Sequence, residues 1–214
     1  MFNLKVIRFC QLCVINFLVI HLVGCAALLP VPSVPLTYHS LERLTSRTQK
    51  TATSPSANKP SVIINLPQAA AGFNTAHIMY RRSAHQLEYF AHNEWIDTPA
   101  RMLAPLLVAA ISQSSAFNAV ILSPSHVTAD FKLESEIIRL QQNFDVVPST
   151  VQFTFRAYLI NTATRKVVAW REFDESVTAN TDNPAGGVLA ANQAVNNVLD
   201  QLTVFCNESI VTLK

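Results

Sequence analysis

The side chains that could perform acid–base or metal chemistry are few and widely spaced. Glu134 and Glu136 lie two residues apart and could in principle act as paired carboxylates. They occupy the polar side of an alternating segment, a position typical of solvated acids. The histidines outside the first 24 residues are His39, His77, His85, His92 and His126. His85 and His92 have no cysteine or carboxylate at zinc-ligand spacing, so the pattern does not favour a metal site.

Familiar catalytic and cofactor motifs cannot be written with this sequence. Its four glycines, Gly24, Gly72, Gly186 and Gly187, form neither G-x-G-x-x-G nor G-x-x-x-x-G-K-[ST]. The nucleophile elbow G-x-S-x-G and the zinc motif H-E-x-x-H are also missing. We therefore predict no catalytic residues, no cofactor and no metal. A hydrolase with an unrecognised site is the weakest alternative.

The charge balance lacks the features of a nucleic-acid-binding protein. The 214 residues contain 16 Lys and Arg and 14 Asp and Glu, and two of the basic residues, Lys5 and Arg8, lie near the amino terminus. The rest of the chain is neutral and contains no basic block, whereas nucleic-acid binding depends on clustered Lys and Arg. We exclude nucleic acid as a partner. The remaining chain of about 190 residues suits one domain.

The amino terminus has the order of features of a signal peptide. Lys5 and Arg8 precede an apolar run from Phe9 to Val23, which polar residues interrupt. The run is shorter than the roughly 20 apolar residues of a membrane span, and a proline-rich stretch follows it. We predict a lipoprotein signal peptide over residues 1–24, with a retained transmembrane helix as the alternative.

The apolar run ends at Leu22-Val23-Gly24-Cys25, which resembles the bacterial lipobox. The resemblance implies that the signal is cut before Cys25 and that this cysteine is lipidated. The acyl chains would then anchor the protein in a membrane. An ordinary signal-peptide cysteine is the alternative. In the lipoprotein sorting rule of enteric bacteria, Asp directly after the lipidated cysteine favours retention in the inner membrane. Ala26 follows Cys25 here, which favours the outer membrane.

Cys206 has no partner within the chain if Cys25 is lipidated. An unpaired thiol can be reactive, can pair between chains or can be buried as a small hydrophobic side chain. The position of Cys206 beside Phe205, at the end of an apolar helical pattern, favours burial.

Composition divides the mature chain into a tether and a domain. Residues 25–60 are rich in Pro, Ser and Thr and are predicted to form a lipidated tether, with a candidate first strand at residues 37–41. The segment from Pro30 to Ser61 could reach at most about 110 Å. The folded domain is predicted over residues 61–206, and residues 207–214 are predicted to form a C-terminal tail.

Apolar periodicity within the domain predicts an α+β fold. The expected strands are residues 62–66, 77–81, 86–92, 131–137, 151–159 and 167–178. Asp97-Thr98-Pro99 and Asn183-Pro184 each place a capping residue before a proline, and each is expected to begin a helix. The two helices should pack on one face of an antiparallel sheet.

Four residues near the first predicted helix are candidates for a partner surface: Tyr80, Arg81, Arg82 and Trp95. Arg, Tyr and Trp dominate the residues that carry most of the binding energy in protein interfaces. The alternative is that Tyr80 and Trp95 are aromatic residues of the core or of the sheet edge.

The order of features from Ala69 to Leu103 resembles the ABC-type transport auxiliary lipoprotein family, which includes the paraquat-inducible protein C lipoproteins. The resemblance rests on Ala69 to Arg81, on Leu87 to Ala91 and, most specifically, on Trp95 to Leu103. The lipobox cysteine and the strand-like residues around Tyr38 add to it. The long spacer from Thr45 to Lys59 and the lone Cys206 depart from the family pattern.

The resemblance implies a lipid-anchored domain related to the amino-terminal domain of TolB, facing the periplasm of a Gram-negative bacterium. It also implies partners: an MCE-domain protein with its ABC permease and ATPase, which move phospholipid or other hydrophobic molecules between membranes. A second copy of the chain is a further candidate partner. We expect a docking and assembly component. The alternative is a periplasmic lipoprotein that itself binds a lipid or another hydrophobic ligand.

Overall fold

A computed structural model gives the fold and describes residues 34–43, 59–114 and 116–212. The folded unit begins at Leu36. Its elements in chain order are β1 (Thr37–His39), β2 (Ser61–Ile64), β3 (Gln68–Ala69), β4 (His77–Ser83), β5 (Gln86–Trp95), α1 (Pro99–Gln113), β6 (Ala119–Leu122), β7 (Phe131–Asn143), β8 (Thr150–Asn161), β9 (Lys166–Thr178) and α2 (Pro184–Thr212).

The long strand β7 organises the sheet. Along one edge it pairs with β8, and β8 pairs with β9. Along its other edge it pairs successively with β2, β3 and β4. Beyond these, β6 adds to β2, β5 adds to β4, and β1 adds to β5. The two long neighbours β8 and β9 therefore present a broad surface on one side of β7.

The α+β class with two helices is confirmed, but the sheet is mixed rather than antiparallel throughout. Strands joined by short turns pair antiparallel, as in β4–β5 and β7–β8–β9. Strands brought together from distant parts of the chain pair parallel, as in β2–β6 and β2–β7. Parallel pairing needs a long crossover connection, and periodicity within one strand does not reveal the direction of its neighbours.

Both helices begin where the cap and proline pairs predict. Pro99 is the first residue of α1, and Pro184 is the first residue of α2. Asn183 caps α2, since its Oδ1 accepts a hydrogen bond from the Gly186 amide at 2.9 Å. The helices contact each other and share one core with the sheet. Their apolar stripes therefore cover the same face.

Two further features of the chain differ from expectation. The short strands β3 and β6 were not predicted, although both complete the sheet beside β2 and β7. The helix α2 continues to Thr212 and buries Ile210, so most of the predicted C-terminal tail is helical. Ile210 lies four residues after Cys206, the spacing that extends a helical apolar stripe.

Candidate functional site

Tyr80 and Trp95, two of the four candidates for a partner surface, lie inside the protein. Tyr80 is 6% exposed, and its ring centroid lies 4.5 Å from that of Phe90. Phe144 meets the same ring edge-on at 5.7 Å. Trp95 ends β5 and is 2% exposed. Their burial agrees with the alternative interpretation, in which both are aromatic residues of the core or of the sheet edge.

Arg81 and Arg82 are held by neighbouring side chains at the end of β4. Arg81 Nη2 donates to Asp145 Oδ2 at 2.5 Å. Arg82 Nη2 donates to the Tyr80 hydroxyl at 2.8 Å, and that hydroxyl donates to Glu88. The Arg82 side chain remains 67% exposed. The four candidates therefore do not form one continuous surface.

Of the two cysteines in the predicted mature chain, Cys206 lies among the described residues and Cys25 does not. Cys25 lies outside the described residues, so its lipidation remains a prediction. Cys206 is a free thiol buried in α2. Burial raises the pKa of this thiol to about 12, because an apolar environment disfavours the thiolate. Since the thiolate is the nucleophilic form, Cys206 is chemically inert in the folded protein at neutral pH.

The described residues contain neither a metal-binding cluster nor a helix that could span a membrane. Between residues 34 and 212, leaving out 44–58 and 115, no three His, Cys, Asp or Glu side chains are placed to hold a metal ion. Neither α1 nor α2 has the combination of length and apolarity needed to cross a membrane.

A pair of asparagines on α2 fixes the chain that leads into the domain. Asn192 Oδ1 accepts a hydrogen bond from the Glu42 amide at 2.7 Å, and its Nδ2 donates to the Ser40 carbonyl at 3.1 Å. One turn later, Asn196 Nδ2 donates to the Glu42 carbonyl at 2.8 Å. Both asparagines are buried. We call Asn192, Asn196 and the backbone of residues 40–43 the asparagine clamp.

The clamp continues by one further helical turn. Arg43 Nη2 pairs with Asp200 Oδ1 at 2.7 Å, and only 13% of the Arg43 side chain is exposed. On the other side of the clamp, β1 pairs in parallel with the end of β5. Residues 37–43, which the sequence placed in the tether with a candidate first strand at 37–41, are therefore bound to both the sheet and α2.

The sheet face opposite the helices carries an aromatic pair. Since α1 and α2 share one side of the sheet, the other side of β7, β8 and β9 has no helix in the described part of the chain. Glu134, Tyr158 and Trp170 form one cross-strand row on this side. The rings of Tyr158 and Trp170 stack with centroids 6.3 Å apart, yet Trp170 is 61% exposed.

A second row, two residues along each strand, is charged. It consists of Glu136, Arg156 and Glu172. Arg156 donates from Nε and Nη2 to Glu172 Oε2 at 3.0 and 2.5 Å, whereas Glu136 lies 3.8 Å from its Nη1. The hydrogen bond to Glu172 raises the pKa of Arg156. These two rows, six residues in all, are named the open face.

A cleft borders the open face where the chain leaves the sheet between β2 and β3. Ile64 pairs with Leu133, and Gln68 pairs with Glu136. The three residues 65–67 therefore lie beside only two residues of β7, 134 and 135. The extra residue forces this connection away from the sheet. The resulting cleft is about 180 Å³ and is lined by Leu66, Glu134, Glu136 and Tyr158, among others.

Two further cavities of the described residues differ in size and lining. The apolar pocket between the sheet and α2, which Trp95 and Leu140 line, has room of only about 10 Å³. That is about the volume needed for one water. A larger cleft of about 400 Å³ beside Glu42 and Asn192 mixes the polar side chains of Thr178, Asn180 and Gln193 with apolar Val177 and Leu189. Sites for apolar ligands are instead lined mostly by hydrophobic and aromatic residues.

The fold and its surface define the class of protein. The protein is an α+β domain whose mixed sheet is covered by two helices on one side, and whose leading segment is fixed to the second helix. The sequence profile of the family described as "ABC-type transport auxiliary lipoprotein component" matches residues 43–203. The chain belongs to this family, as the resemblance predicted.

Solved structures support the same fold. The chain is similar to protein XCC0632 from Xanthomonas campestris, a DUF330 protein, with 19% identity, a TM-score of 0.65 and coverage of 83% of this chain and 93% of that chain. A crystal structure of an uncharacterized protein has 14% identity and a TM-score of 0.62, with coverage of 80% and 98%. A search of curated proteins finds no match.

Proposed function

We propose that the protein is a docking and assembly component of an MCE-type ABC lipid transport system, held in the outer membrane by acyl chains on Cys25. Its family is one of auxiliary lipoproteins of ABC-type transport, which supports membrane anchoring and a role in transport. In this proposal the domain catalyses no reaction. It binds an MCE-domain protein and keeps that protein, with its permease and ATPase, next to the anchoring membrane.

The asparagine clamp is the observation that carries this proposal. Because residues 37–43 are bound to the domain, the leash from the lipid runs only from Cys25 to Pro35, which is 11 residues. Fully extended, such a leash reaches at most about 40 Å. The stretch from Thr45 to Lys59, interpreted from sequence as a long spacer, instead connects two parts of the folded unit and adds no reach.

A short leash suits a docking role. A domain kept within about 40 Å of its membrane stays at a high local concentration for partners at that membrane. A lipid carrier needs an apolar cavity large enough for an acyl chain, whereas the apolar pocket between the sheet and α2 has room for about one water.

Affinity purification of the full-length lipoprotein from gently solubilised native membranes tests the proposal. Proteins and lipids recovered with it are identified by mass spectrometry, alongside the variant Cys25→Ala. Docking predicts recovery of an MCE-domain protein with its permease and ATPase, and weaker recovery with the variant. Recovery of the lipoprotein alone, with stoichiometric bound lipid, would instead favour the carrier function.

A further inference from the structure

We infer that the open face is the surface through which the domain binds its partner protein, and that the cleft beside it takes an arginine or lysine side chain of that partner. The inference rests on the proposed docking function and names where the contact is made. Three features of the structure support it: the aromatic pair with its exposed Trp170, the incompletely neutralised carboxylates and the shape of the cleft.

The aromatic pair supplies the apolar centre of the surface. Trp170 lies on β9, on the side away from the helices, and is 61% exposed although it stacks on Tyr158. Trp, Tyr and Arg are the residue types most enriched where truncation weakens protein binding. Here Trp170, Tyr158 and Arg156 lie next to one another on adjacent strands. A partner that covers Trp170 would remove a large exposed aromatic surface from water.

The carboxylates beside this centre favour a cationic contact. Arg156 is shared by Glu136 and Glu172, so one positive charge faces two negative charges. Lys132 Nζ lies 3.6 Å from Glu134 Oε1, a distance too long for a hydrogen bond. An incoming guanidinium or ammonium could hydrogen-bond directly to Glu134 and Glu136. Such charge-assisted hydrogen bonds are roughly twice as strong as neutral ones.

The cleft has the size and walls that suit one long cationic side chain. Leu66 provides an apolar wall, Tyr158 an aromatic one, and Glu134 and Glu136 lie beside them. Cations bind over aromatic faces, and the alkyl stem of Lys or Arg packs on apolar surface. A cleft of about 180 Å³ is small for a lipid but adequate for a side chain.

Charge also distinguishes this partner from other occupants of the face. An anionic membrane surface attracts basic segments, so it would repel Glu134, Glu136 and Glu172. A second copy bound face to face about a two-fold axis would bring three carboxylates and one arginine of the open face from each side, so negative charge would be in excess at the interface. Like charges brought together across an interface are unfavourable. A partner protein with a basic contact surface meets neither objection.

The experiment compares full-length variants captured from native membranes, with MCE-domain protein quantified relative to captured lipoprotein. Trp170→Ala removes the aromatic centre, and the double variant Glu134→Gln with Glu136→Gln removes charge while preserving shape. Leu189→Ala is the matched control, because Leu189 is 63% exposed but lies on α2, on the other side of the sheet. Thermal unfolding of each purified variant establishes that it is folded.

The inference predicts a loss of roughly tenfold or more in captured MCE-domain protein for Trp170→Ala and for the double glutamine variant, with the control unchanged. Normal capture by both open-face variants would overturn the inference but leave the docking function standing. Failure of the wild-type chain to capture any MCE-domain protein would instead refute the docking function. Cross-linking of two lipoprotein copies through the open face would assign the surface to self-association and also overturn the inference.

Discussion

Replacement of Asn192 by alanine should release the chain that leads into the domain without unfolding the domain itself. The substitution removes the acceptor of the Glu42 amide and the donor to the Ser40 carbonyl, two hydrogen bonds of 2.7 and 3.1 Å. A hydrogen bond contributes about 1 kcal/mol net, and more where a buried partner is left unpaired. We therefore expect the free energy needed to open residues 40–43 to fall by about 2 kcal/mol.

Hydrogen–deuterium exchange of residues 36–43 measures this opening directly. A change of about 2 kcal/mol corresponds to exchange that is roughly thirtyfold faster. Gln193→Ala is the control, because Gln193 is the next residue on α2 but is exposed and makes no hydrogen bond to residues 40–43. If exchange in Asn192→Ala rises by less than about threefold, the asparagine does not hold the segment and the short-leash argument fails.

Three further predictions concern the rest of the domain. Cys206, with its thiol pKa raised to about 12, should resist alkylation at pH 8 in the folded protein and react once denaturant is added. Rapid alkylation of Cys206 in the folded protein would contradict its burial. Gly186→Ala should destabilise the fold by about 1–3 kcal/mol in urea unfolding, because the new methyl group would overlap the Thr181 carbonyl oxygen. An unchanged unfolding midpoint would show that the backbone at Thr181 moves aside without a cost in stability. Hydrogen bonds from Ser61 lower the carboxyl pKa of Asp130, and hydrogen bonds from Ser149 lower that of Asp182, below the ordinary value of 3.8. The stability that these hydrogen bonds contribute is therefore complete above pH 3.8 and is lost as the pH falls below that value. Acid unfolding should be less steep when both are changed to Asn, and an unaltered pH dependence would refute that assignment.

Local sequence signals predicted the helix starts and the antiparallel strands well. Proline after a capping residue fixes where a helix can begin, and it placed Pro99 and Pro184 correctly. Strict alternation in residues 151–159 identified β8 and its buried face. These signals act within a few residues, so a single sequence reveals them.

Long-range features were harder to predict. The parallel neighbours of β7 depend on which distant segments meet, and β3 is only two residues long. The open face could be anticipated only in part, because alternation places Tyr158 opposite the buried side of β8 but does not show that Trp170 stacks on it. Asn192 and Asn196 are polar residues four apart within an apolar helix, a signal that could have indicated a buried partner.

Direct binding between the purified full-length lipoprotein and the purified MCE-domain protein, both in detergent, tests the docking role most directly. The account predicts a saturable complex that forms without bound lipid in the lipoprotein and weakens as salt is raised, because charged groups border the contact. No saturable binding, together with one tightly held lipid per lipoprotein in native mass spectrometry, would contradict it.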